Sequence, residues 1–129
     1  HDVLVGFHMC FGTLGGWPPF EPEDISGAVL MANGFVRAAG RPVGWMHIPL
    51  LARMDEAFYE RLRGLEPNGA RVFLGMVHSM ESYPARLAIV RKLVPDFGVA
   101  AYCGFGRLNP SQLPAIRQQH LDALRLLHG

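Results

Sequence analysis

Four short runs limit this chain more than any other feature: Val3–Met9, Val43–Ile48, Val72–Val77 and Phe97–Tyr102, all rich in β-formers. Their nearly continuous apolar character suits strands covered on both faces, as in a parallel sheet. The stretches between them carry helical periodicity. Asp24 is placed to cap a helix over Ile25–Ala39, closed by Gly40 and Pro42. Met54–Leu65 sets Phe58, Leu62 and Leu65 on one face, with Arg and Glu on the other. Pro84 suits the first turn of a helix through Leu87, Val90 and Val94, which Pro95 stops. Ser111–Leu127 presents Ile116, Leu121, Leu124 and Leu127 as a buried stripe. Strand and helix alternating in this way are the pattern of βαβ units, so the fold class is α/β with four parallel strands.

Length and composition narrow the partners. With 129 residues the chain reads as a single domain over 1–129. Half of the residues are hydrophobic and 18% are charged, which excludes a disordered tail. A formal charge of +1 with no basic run gives no reason to expect nucleic acid or an anionic membrane as partner. Gly, Pro, Arg or His interrupts every apolar run before the ~18–20 residues of a membrane span. Two cysteines are too few for the disulfide framework of a small secreted domain. A reducing, cytoplasmic setting is expected, where paired cysteines more often serve as ligands or catalysts.

The histidines and cysteines do not scatter. His8 and Cys10 close the first run, His47 the second, His78 the third and Cys103 the fourth. In parallel α/β folds the C-terminal strand ends converge on one face, where ligands and catalysts sit. Five of the eight His and Cys residues are therefore directed to one rim. In an extended strand residues i and i+2 point the same way, so His8 and Cys10 are able to hold one ion together. Zinc takes sulfur and nitrogen ligands in a tetrahedron and, in catalytic sites, keeps one position open. His8, Cys10 and Cys103 supply three ligands, with His47 as a fourth candidate. Two thiolates leave such a centre a mild Lewis acid, suited to holding a substrate thiolate that stays nucleophilic, the logic of alkyl transfer to sulfur.

The stretches His8-Met9-Cys10, His78-Ser79 and Tyr102-Cys103-Gly104, in this order on successive strands, carry a resemblance. They are similar to the C-terminal catalytic barrel of cobalamin-independent methionine synthase, in the superfamily shared with uroporphyrinogen decarboxylase. The resemblance implies zinc held by His8, Cys10 and Cys103, with His78 as the proton-transfer histidine. It also implies a small-molecule thiol and a methyl donor as partners. Two departures separate this chain from the synthases. The family's Glu ligand has no counterpart in Trp45-Met46-His47-Ile48, and Met76 stands where the synthase carries an acid two residues before the histidine. The Gly15-Gly16-Trp17-Pro18 loop is also unlike the synthase.

A (β/α)8 barrel takes about 250 residues. The chain therefore reads as a (β/α)4 half, strands five to eight, of a TIM-barrel enzyme. Open parallel edges and an apolar inner face call for a cover, either a missing N-terminal half-barrel or a second copy in a homodimer. Trp17 is expected at the wall of a substrate pocket, and Arg107, after a Gly-rich turn, at an anion-binding position. His1, His120 and His128 read as solvated. Zinc-dependent methyl transfer to a thiol is the leading function. The alternatives are a metal-free, decarboxylase-like enzyme using Arg107, and a non-catalytic truncated half-barrel.

Overall fold

The computed structural model describes residues 3–129, so the expectation for His1 lies outside the described residues. Strands β1 (Gly6–His8), β2 (Trp45–Pro49), β3 (Arg71–Gly75) and β4 (Gly98–Ala100) form one parallel sheet in the order β1-β2-β3-β4. Register runs straight across it, with His8 beside His47, His47 beside Phe73, and Phe73 beside Gly98. Helices follow each strand: α1 (Ser26–Ala38), α2 (Glu56–Tyr59), α3 (Tyr83–Arg91) and α4 (Leu113–His128). The architecture is α/β and consistent with a half-barrel; no closed barrel forms among the described residues.

Helix ends follow their local chemistry with small shifts. Asp24 does accept from the helix start, but the bond runs from Ser26 N to its Oδ1 at 2.8 Å, so α1 begins one residue later than expected. The helix expected over 54–65 is a short α2 that tightens into a 3-10 helix over Glu60–Gly64. Leu65 is already extended, and Pro67 favours the same for the residue before it. The outer strands shorten most, because an edge strand pairs on one side only.

The sheet has a dry face and a wetter one. Met46, Ile48, Leu74 and Met76 are fully buried against the helices, with Phe58, Tyr59, Leu62, Leu87 and Val90 across from them. Each buried side chain of this size contributes roughly 1.5–3 kcal/mol of hydrophobic stabilisation. The opposite face carries Trp45, His47 and Phe73, which are only partly covered. Coverage on both faces, expected from the apolar runs, therefore holds on the helix side alone. On the open face side chains lie flat over glycines of the adjacent strand. The Trp45 ring occupies the place of a Cβ on Gly6, and a Cβ on Gly98 would lie 2.7 Å from the Phe73 ring.

The sheet also curls. Strands β1 and β4 stand three inter-strand steps apart, about 14 Å if the sheet were flat. Yet the segments that leave their C-terminal ends touch, with the Cys10 and Cys103 sulfurs 3.3 Å apart. Curling brings both edges to one mouth, and the mouth is where the reactive side chains meet.

Candidate metal centre

One donor group assembles at that mouth. Ligand atoms of His8, Cys10 and Cys103 all lie within 4.8 Å of one another. Tetrahedral zinc at 2.0–2.3 Å from its ligands spaces them about 3.5–3.8 Å apart, so the group needs only small adjustments to close on an ion. His8 extends from the end of β1, and Met9 N still bonds to His47 O at 3.0 Å, which keeps the chain strand-like up to Cys10. Cys10 Sγ accepts from Gly12 N at 3.1 Å, a contact suited to a thiolate. Cys103 arrives from the segment after β4. Burial, and then the adjacent Cys10 sulfur, push its thiol up to about 11, against the pull of Arg107 and Thr13. Metal-free Cys103 is therefore held as a thiol near neutral pH, and an ion that binds there must displace its proton.

His47 stands one step out from the three donors. Its Nδ1 lies 2.6 Å from Nδ1 of His8, and the two rings stack at 4.8 Å. Burial, reinforced by His8, lowers the His47 pKa to about 4, so the ring is neutral near pH 7. His8 is also lowered by burial. Of two neutral rings, one must donate. If His8 donates from Nδ1, its Nε2 lone pair is left for an ion, the usual arrangement of a ligating histidine and its orienting partner. The Ala101 carbonyl opposes the downward shift on His47, but the buried Nε2 makes no well-formed hydrogen bond.

His78 sits beside this group, under a cover. Its Nε2 lies 2.7 Å from the Leu50 carbonyl, which fixes Nε2–H as the donor and leaves Nδ1 with a lone pair 3.4 Å from Ser79 Oγ. Burial is the main cause of its lowered pKa, about 4. The edges of Trp17 and Tyr102 pack against the ring at 6.3 and 5.6 Å. The proton-transfer role that the resemblance implies for His78 calls for an oriented ring open to a substrate. The orienting bond is present, but aromatic rings close that side, and in this tautomer Nδ1 accepts a proton and has none to give.

The loop after β1 spans the mouth. Trp17 stacks on Tyr102 with ring centroids 4.6 Å apart and planes within 4°. Arg107 donates to Thr13 Oγ1 across the same gap. Trp17 and Arg107 thus join the two edge loops, and the arginine is engaged with a neutral hydroxyl. His120, expected in solvent, is partly buried, with Nδ1 2.8 Å from the Ile116 carbonyl; Phe105, from the turn before α4, packs edge-on against its ring at 6.2 Å.

Sequence reasoning missed Arg86. It is fully buried, and its guanidinium donates to Met76 O at 3.2 Å, to Ser79 O at 3.1 Å and to His78 O. It clamps the turn after β3, where Ser79 adopts a left-handed φ of 46°. Nothing local marks it, since an arginine in an amphipathic helix normally faces water. The partners that make it structural come from the preceding loop in space.

Cavities are distributed unevenly. A cleft of about 670 Å³ lies at the opposite ends of β3 and β4, among Val72, Phe97, Val99 and Leu127, away from the donor group. A smaller one, about 240 Å³, has Cys10 in its wall. No helix among the described residues is long and apolar enough to cross a membrane. Comparison with known protein families, with curated proteins and with solved structures finds no match.

Proposed function

We propose that the chain carries the zinc centre of a methyltransferase-like protein that activates a small-molecule thiol. The observation that carries this reading is the convergence of His8, Cys10 and Cys103, from opposite edges of the sheet, within 4.8 Å. Two sulfurs and one imidazole are a zinc donor set, and three protein ligands leave a position for a substrate atom. Bound zinc supplies a centre that lowers the pKa of a thiol without consuming its nucleophilicity.

The chain's own residues set the surroundings. His47 orients His8 through the Nδ1 contact and, being neutral, adds no charge to the centre. Trp17 and Tyr102, stacked across the mouth, form a wall on one side. For the proton-transfer role that the resemblance gives it, His78 must first take up a proton at Nδ1, the ring atom that faces Ser79. A reducing, cytoplasmic compartment keeps both cysteines available to the metal. The methyl donor completes the partners of this reading.

Metal analysis of the chain should give about one zinc, lost in Cys10→Ala and in Cys103→Ala. Thiol binding to the zinc form at neutral pH should release close to one proton, read from calorimetry in buffers of different ionisation enthalpy. Thiol binding without proton release, or no zinc in the parent chain, refutes the reading.

A further inference from the structure

The cavity beside Cys10 has a composition that the metal chemistry does not require. Met9, Phe11, Phe20, Ala28 and Met31 line it together with Cys10, and its volume is about 240 Å³. Asp24, the acidic residue of its wall, is already engaged, accepting from Ser26 N at 2.8 Å and pairing with Arg61 at 3.6 Å. No uncommitted charge therefore faces an occupant. Phe20 and Met31 are large apolar side chains left 55% and 48% exposed at the rim, and Phe11 meets Phe20 edge-on at 5.8 Å.

Size and polarity select what fits. An apolar cavity of about 150 Å³ holds benzene and stays dry otherwise. A cavity of 240 Å³ has room for an aromatic ring or branched alkyl group with a methylene or two attached. Cys10 belongs both to this wall and to the donor group with His8 and Cys103. A molecule seated here is thus adjacent to the candidate centre.

We infer that this cavity receives the apolar arm of the acceptor, which makes the substrate class an uncharged aryl or alkyl thiol rather than an amino-acid thiol. This rests on the zinc–thiol reading given above. An amino-acid acceptor would bring an ammonium and a carboxylate into a pocket that offers neither a free counter-charge nor a free polar donor among its side chains. An apolar arm gains by leaving water, and the partly exposed Phe20 and Met31 gain with it.

The test uses cobalt(II) in place of zinc, because its absorption bands report thiolate binding without turnover. Phenylmethanethiol and 2-mercaptoethanol are titrated into the cobalt-loaded chain. Burial of the phenyl group predicts about 10- to 100-fold tighter binding of the first. Ala28→Phe fills the cavity, and Met31→Trp narrows its rim from an exposed position that tolerates bulk. Either should abolish the preference while leaving the cobalt bands and the 2-mercaptoethanol affinity unchanged. Equal binding of the two thiols, or a preference that survives in both variants, overturns the proposal alone. Cobalt bands that respond to neither thiol overturn the reading of the centre on which it rests. Toluene supplies an independent check in the metal-free chain: it should shift the methyl resonances of Met9 and Met31, and absence of any shift overturns the cavity as a binding site.

Discussion

Zinc is expected to raise the melting temperature of this chain by about 10 °C, and the size of the effect follows from where the ligands sit. Cys10 and Cys103 are 93 residues apart in sequence. They come from the two edges of the sheet, so the three-donor group exists only when the sheet is folded and curled. A ligand that binds the folded state alone adds about 2.7 kcal/mol at a free concentration 100 times its Kd. For a chain of this length each kcal/mol moves Tm by roughly 3–5 °C. His8 and Cys10 stay two residues apart after unfolding and keep some affinity for zinc, which trims the shift toward the lower end. Cys103→Ser should lose most of the zinc response, with a metal-free Tm within a few degrees of the parent because Cys103 is only partly buried. Differential scanning calorimetry in zinc buffers at fixed pH measures both numbers. A zinc-insensitive Tm, or a Cys103→Ser chain with the full shift, refutes the idea that the two edge loops share one ion.

Two further outcomes follow from buried groups. Arg86→Met should destabilise the chain by about 3–5 kcal/mol in urea unfolding, because carbonyls of Met76, His78 and Ser79 lose their donor in a buried setting; a loss under about 1 kcal/mol would show that the clamp is dispensable. Acid should destabilise the metal-free fold through His47 and His78, whose pKa values fall from 6.5 to about 4. The unfolded chain binds more protons in that interval, so the stabilisation is complete above about pH 6.5 and is lost as pH falls toward 4, on the order of 3 kcal/mol per ring. His78→Gln should remove about half of that pH slope, and an unchanged slope would exclude the ring as its source.

The α/β class, the four strands and their order of appearance were legible in the chain, because burial of apolar runs and helical stripes is a local pattern with a fixed period. The placing of His8 at the end of β1, and of Cys10, His78 and Cys103 just past the ends of β1, β3 and β4, was legible for the same reason, whereas His47, expected at the end of the second strand, stands in the middle of β2. What the period does not encode is curvature. Whether Cys10 and Cys103 meet depends on how far β1 and β4 roll toward each other, and that is set by packing summed over the whole sheet. The covering of His78 by Trp17 and Tyr102, and the neutral partner of Arg107, depend on the path of a Gly- and Pro-rich loop that carries no periodic signal. Arg86 is the plainest case: its helix position reads as surface, and it is buried because three carbonyls of a turn converge on it in space. Sequence alone thus determined which side chains stand at the mouth, through local periodicity and hydrophobic burial. Only the tertiary structure decided which of them touch, because contact between distant segments depends on curvature and loop path, and neither is a property of any one stretch of chain.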